Sequence, residues 1–400
     1  MTKFLWTQQS NFGPSPRSGG AMAFDSDRGR LVLFGGNTGT SRLGDTWEWD
    51  GGFWTQVEDI GPSPRFLSAM VYDAARKVCL LFGGRDSDEH FLGDTWQWDG
   101  IKWTQLLDSG PAGRSSHAMA FDIYRSRTVL FSGQAGPAAS LADTWEFDGD
   151  NWTQQQDAGP AARGGHVMAF EDVSARTVLF GGTALDGSSF ADTWAWDGNE
   201  WVQIAEFGPS ARLETAIAST QDGNLILYGG LKTIFSNILL SDTWQFDGKY
   251  WIQVQDIGPG PLHEAMIAFD NRRARVVVFG GIAANSAGTT SVSANTWELS
   301  VDPLKVASLS FADPLVAGTP LQLTVALNRP APSSGAIVNF QGPIFTTAGV
   351  NLPPLTVPTG QRQALVTVEF APNPNPSAIS FSASVGDTPP LSITIDVAGH

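Results

Sequence analysis

One cysteine in 400 residues, Cys79, rules out any disulfide within the chain. Its setting in the apolar run "KVCLLFGG" reads as that of a small core residue, so oxidising export is neither required nor excluded. Basic residues are also scarce, with 24 Lys and Arg against 40 Asp and Glu, for a net charge of -16. Such a surface repels a phosphate backbone, which argues against nucleic acid and favours a neutral or locally basic partner or a metal ion. No apolar stretch approaches the ~20 residues of a membrane-spanning helix, so membrane insertion is not expected. The opening "MTKFLWTQQS" lacks the apolar segment of a secretion signal, and we read it as a genuine amino terminus that belongs to the fold. The compartment stays open, with an extracellular place or the surface of a released particle fitting better than the cytoplasm.

What is abundant is glycine, proline and tryptophan: 44, 24 and 15 residues. This composition suits short strands joined by tight turns. The triplet Asp-Thr-Trp, once Asn-Thr-Trp, begins at Asp45, Asp94, Asp143, Asp192, Asp242 and Asn295, at spacings of 49, 49, 49, 50 and 53. Each period holds an arginine followed by an apolar run ("RSSHAMAFD" from Arg114), a "VLFGG"-like run, a variable segment, "DTWxWDG" and "WTQ". All tryptophans fall at three repeat positions. Residues that bury ~150–250 Å² each and recur in every copy are framework for the wedges between sheets rather than a ligand site.

Four strands per period, a diglycine ending the second and a tryptophan opening the fourth resemble the Kelch repeat of β-propellers. The resemblance covers about residues 1–300, with two departures: the third copy reads "FSGQ", and the sixth has Leu262 where the others have arginine. The sixth copy also lacks a closing "WTQ" strand, whereas "WTQQ" at Trp6 precedes the first arginine. The expectation is an all-β, six-bladed propeller over 1–301 whose amino-terminal strand completes the sixth blade.

From Asp302 onward no tryptophan, tyrosine or cysteine occurs, while 14 of the 24 prolines do. Alternating runs such as "PLQLTVAL", "QALVTVEF" and "LSITIDV" predict a β-sandwich over 302–400. The pattern resembles bacterial immunoglobulin-like modules, which implies a spacer or docking unit. The cysteine pair and core tryptophan of antibody domains are missing.

Kelch propellers include copper-radical oxidases, whose chemistry uses a cysteine-crosslinked tyrosine, a second tyrosine and two histidines. Here Cys79, Tyr72 and Tyr228 sit in strand patterns that read as core, so that chemistry is not expected. His117 and His166 occupy equivalent places on neighbouring first strands. Two imidazoles are too few for a closed metal site, and hydrogen-bonded framework histidines are the plainer reading. The loop "RDSDEH" places Asp86, Asp88 and Glu89 together and is a weak calcium candidate without the glycine and distal glutamate of an EF-hand. No nucleophile elbow, phosphate loop or metalloprotease helix is present. Paired carboxylates of a carbohydrate-active enzyme need only meet in space, which keeps that class open.

The segments between second and third strands diverge while the framework repeats, as a binding rim requires. Candidates there are Arg85, Asp86 and Phe91 in one copy, and Ile234, Phe235 and Ile238 in "LKTIFSNILLS". Arg17, Arg65, Arg114, Arg163 and Arg212 begin the first strands and are read either as a cationic ring for a carboxylate or as partners of neighbouring groups. The functional expectation is a binding module that grips a protein or glycan at this rim and needs no cofactor. A structural or receptor-binding subunit of a larger assembly, docked through the carboxy-terminal domain, is the alternative.

Overall fold

The computed structural model describes residues 5–9, 12–58, 60–155, 159–205, 207–255, 258–284, 289–300, 306–311, 321–327, 336–341, 352–358, 361–368, 378–385 and 390–396. They contain strands and turns and no helix. The chain divides into two compact units, Met1–Val301 and Asp302–His400.

In the first unit the described residues form six four-stranded antiparallel sheets. Sheet one runs Ala21–Asp25, Arg30–Asn37, Arg42–Trp49, Trp54–Glu58. Sheet two is Ala69–Asp73, Val78–Phe82, Thr95–Trp98, Trp103–Leu107. Sheet three is Ala118–Asp122, Arg127–Phe131, Thr144–Phe147, Trp152–Gln154. Sheet four is Val167–Glu171, Arg176–Phe180, Thr193–Trp196, Trp201–Ala205. Sheet five is Ala216–Ser219, Leu225–Thr233, Ser236–Phe246, Trp251–Gln255. Sheet six has Met266–Asp270, Arg275–Phe279 and Thr296–Ser300, and its fourth strand is Leu5–Gln8, with Leu5 opposite Ser300 and Gln8 opposite Trp297. First strands of successive sheets touch in cyclic order, sheet six against sheet one.

The middle of each second strand is apolar because both its faces are covered: Leu31 to Phe34 have no exposed surface. Each first strand of sheets one to three and six ends in an aspartate that sets the next turn. Asp25 accepts the Arg28 N–H at 3.0 Å and pairs with its side chain at 2.6 Å, and Asp73, Asp122 and Asp270 repeat the arrangement.

Tryptophans make the wedges. The indole N–H of each fourth-strand tryptophan donates to the threonine of the preceding sheet's triplet. The pairs are Trp54 to Thr296, Trp103 to Thr46, Trp152 to Thr95, Trp201 to Thr144, Trp251 to Thr193 and Trp6 to Thr243, at 2.8 to 3.1 Å. Trp49, Trp98 and Trp196 are fully buried, and the last two donate to Glu48 and Glu146 of other sheets. One such wedge joins Phe34 of sheet one to Cys79, Leu81, Trp98 and Trp103 of sheet two.

The second unit has two antiparallel sheets. One orders Val306–Phe311, Leu321–Leu327 and Gln363–Val368; the other orders Leu355–Val357, Ala336–Gln341, Ala378–Val385 and Leu391–Asp396. Leu309, Leu323, Val325 and Val368 from the first share a core with Val338, Val357 and Ala383 from the second.

Candidate functional site

Just before each first strand of the first unit lies a residue in the left-handed region: Gly19, Leu67, Ser116, Gly165, Glu214 and Glu264, with φ between 51° and 67°. Their backbones close a ring. Gly19 donates to the Glu264 carbonyl, Leu67 to Gly19, Ser116 to Leu67, Gly165 to Ser116, Glu214 to Gly165 and Glu264 to Glu214, at 2.7 to 3.0 Å. Those six residues and their successors Gly20, Ser68, His117, His166, Thr215 and Ala265 line a cavity of about 120 Å³. Farther along the first strands, a second cavity of about 330 Å³ is lined mainly by apolar side chains, among them Met22, Met70, Met119, Met168, Ile217 and Ile267, with Tyr72, Asp172 and Ser219 also on its wall. The central passage thus has a polar end and an oily end.

At the polar end, His263 Nδ1 lies 2.8 Å from Glu214 Oε2, and Glu264 joins them so that one ligand atom from each residue falls within 4.8 Å of the others. Burial and the neighbouring Glu214 carboxylate raise the Glu264 carboxyl above its ordinary range. His117 and His166 stand in the same cavity wall. They are buried, edge-on to Phe82 and Phe131; each is drawn toward the carbonyl of that same phenylalanine and keeps a ring nitrogen without a partner among the described residues. Burial, then the Arg114 charge, push His117 down to about 3, against a weaker pull from the Phe82 carbonyl and Asp143. His166 is lowered for the same reason, with Arg163 and His117 adding to it.

The five arginines do not form an accessible ring. Arg17, Arg65, Arg114, Arg163 and Arg212 are 0 to 1% exposed. Each forks onto the aspartate of its own repeat, Asp45, Asp94, Asp143, Asp192 or Asp242, at 2.6 to 2.7 and 2.8 to 3.0 Å. A further donor meets the carbonyl of Gly35, Gly83, Ser132, Gly181 or Gly229. The triplet's indole donates to the same carboxylate at 2.6 to 2.7 Å. Burial alone would raise these carboxyls, but arginine and indole together hold them below the usual range. The sixth copy replaces both partners at once, with Leu262 and Asn295, so no charge is stranded.

The variable segments are mostly short hairpins rather than open loops. In sheet five the second and third strands extend to a tip at Ile234 and Phe235. There Ile234, Phe235 and Ile238 are 50, 76 and 52% exposed. The tip leans on the neighbouring hairpin: a Cβ added to Gly187 would lie 2.2 Å from the Phe235 ring, and Thr233 Oγ1 reaches the Gly187 carbonyl at 3.5 Å. In sheet two, Glu89 pairs with both Arg42 and Arg85, while Arg85 also stacks over Phe91 at 5.1 Å. Asp86 caps its own loop through the Asp88 and His90 N–H groups. Glu89 therefore leaves the expected calcium set, and the cluster that meets is Asp86, Asp88 and His90.

A family model, the KLHDC2/KLHL20/DRC7 Kelch-repeats domain, matches residues 98–281. Over those residues the chain is similar to a Kelch-repeat domain. No curated protein matches its sequence significantly. Among solved structures, that of YjhT is similar over 71% of this chain and 95% of its own, with a TM-score of 0.57 and 15% identity. A novel fungal alcohol oxidase of the AA5 family, in complex with copper, is similar over 95% of this chain and 85% of its own, at a TM-score of 0.52 and 16% identity. Likeness at such identity is likeness of fold. In the first unit, neither Cys79 nor Tyr228 lines the polar cavity: Cys79 is enclosed between sheets one and two, and the Tyr228 hydroxyl donates to the Gly260 carbonyl at 2.6 Å. Tyr72 lines the oily end.

Sequence reasoning overlooked Glu214, His263 and Glu264. The signal was available in "RLETA" and "PLHEAM", which put glutamate where the other copies have Gly, Leu or Ser. It also overlooked Ile60 and Phe207, 80 and 88% exposed in the connections from fourth to first strands.

Proposed function

We propose that this chain is a non-enzymatic binding module. In this reading Met1–Val301 is a six-bladed Kelch propeller closed by its amino-terminal strand, and Asp302–His400 is an immunoglobulin-like spacer or docking unit. The rim that carries the second-to-third hairpins grips the ligand, and a protein fits better than a glycan. One observation carries this choice. The sheet-five hairpin holds Ile234, Phe235 and Ile238 in water on a framework whose other large apolar groups go mostly into wedges, and water penalises such a tip unless a partner covers it. Leu185 on the hairpin it leans against, and Ile60 and Phe207 on connections emerging at the same end of the sheets, add apolar points to that face. Beside Phe91, a groove of about 520 Å³ between Leu92 and Pro111 gives the rim relief.

The test compares F235D/I238D with F53D/I101D, which alters the turns at the opposite end of the sheets. Crosslinking and a glycan array are read for all three proteins. A partner kept by the wild type and F53D/I101D but lost by F235D/I238D supports the reading. Equal binding by both variants overturns the choice of face, and glycan capture without a protein partner overturns the ligand class.

A further inference from the structure

The polar cavity differs in chemistry from the apolar sheet-five tip. We infer that Glu214, His263 and Glu264 form a site for one borderline divalent cation of the Zn²⁺ class at the mouth of the central passage. The donor set is one imidazole and two carboxylates, which suits Zn²⁺; Ca²⁺ and Mg²⁺ favour all-oxygen cages. In a tetrahedral zinc site with bonds of ~2.0–2.1 Å, donor atoms stand roughly 3.4 Å apart. Here His263 Nδ1 and Glu214 Oε2 are 2.8 Å apart, and all three ligand atoms lie within 4.8 Å of one another.

The framework holds the ligands. Glu214 and Glu264 are tied into the backbone ring by donated and accepted hydrogen bonds, so their Cα positions do not depend on the ion. Glu264 lies against Gly19 of the next sheet, where an added Cβ would stand 3.4 Å from its Oε2. The three residues are half-buried, and two carboxylates of one sign meet there on a chain already strongly acidic.

A second observation points to a ligand in the same place. His117 and His166 line this cavity; beyond the hydrogen bonds toward the Phe82 and Phe131 carbonyls, each keeps a buried ring nitrogen without a partner among the described residues, and buried polar groups left so are few in native structures. Three protein ligands leave a zinc ion at least one further position. A water or a carboxylate oxygen held there lies in the chamber that the two imidazoles wall.

The experiment uses the full chain without a polyhistidine tag, as wild type and in a D86N/H90Q background that removes the exposed Asp86, Asp88 and His90 cluster. After dialysis against chelator, Zn²⁺ is titrated by calorimetry and retained metal is measured by elemental analysis. One equivalent of Zn²⁺ should bind in both proteins, and adding E214Q, E264Q or H263Q to the background should weaken binding at least tenfold. Co²⁺ should give the visible absorption of a low-symmetry, four- or five-coordinate site, lost in H263Q. Thermal unfolding of the metal-free variants, compared with the background, separates loss of the site from loss of the fold. No stoichiometric Zn²⁺ in the D86N/H90Q protein, unchanged affinity in folded E264Q, or equal affinity for Ca²⁺ would overturn the assignment.

Discussion

The indole of Trp6 donates to Thr243 Oγ1 at 3.1 Å across 237 residues of chain, repeating at the ends of the first unit the bond that each other fourth-strand tryptophan makes to its preceding sheet. The amino-terminal strand is therefore an ordinary member of the repeat that happens to arrive first. Trp6→Phe should cost about 1 kcal/mol through the lost hydrogen bond, since the ring still fills the wedge. Deleting residues 1–9 should cost several times more, because the Thr296–Ser300 ladder and the Trp6 wedge are both uncovered. Thermal unfolding measures both, and an unchanged melting temperature in the deletion would reject the strand's role.

The sixth sheet shows how the buried ion pair can be replaced. Arg114→Leu alone leaves Asp143 charged, partly buried and without its fork, and should cost about 3–5 kcal/mol. R114L/D143N copies the Leu262 and Asn295 arrangement and should recover a large part of that loss. Chemical denaturation of the two single variants and the double gives the coupling directly. Additive effects would show that the pair acts only through packing.

Acid sensitivity should track the two buried imidazoles. The folded-state value of His117 is pushed down to about 3, below its unfolded value near 6.5, so the unfolded chain binds more protons between those limits. Stability is then complete above pH 6.5 and falls as pH drops toward 3, by about 1.4 kcal/mol per unit from His117, and His166 acts in the same direction. His117→Leu should flatten the slope between pH 6.5 and 4 by about that amount. An unaltered slope in denaturant titrations across this range would show that the imidazole charges without unfolding.

Gly61 packs directly on an indole, and a Cβ there would stand 2.5 Å from Trp103 Cδ1. Gly61→Ala should therefore displace Trp103 and cost about 1–3 kcal/mol. Near-ultraviolet circular dichroism of the indoles and the unfolding midpoint check this together. A wild-type spectrum at wild-type stability would refute the tight contact.

Much of the framework was legible because it is written repeatedly. The Trp6 strand could be placed by counting copies, and the tryptophans could be assigned to walls because no single ligand asks for the same residue in every sheet. The arginines were harder. A residue at the start of each first strand reads equally as a cationic ring or as a set of partners, and only the fork onto Asp45 and its equivalents decides. The polar cavity was hardest, since Glu214 and Glu264 are far apart in sequence and meet only because adjacent repeats bring equivalent positions to one ring. Glu89 misled for the opposite reason: neighbours in sequence need not face one ion, and Arg42 of another sheet takes it.

The ring of backbone bonds from Gly19 to Glu264 makes no use of side chains. Glycine, leucine, serine and glutamate already share the same circular seat, so evolution or a designer can rewrite that doorway one letter at a time without renegotiating the scaffold. Leu67 and Ser116 are the vacant seats where such rewriting would begin.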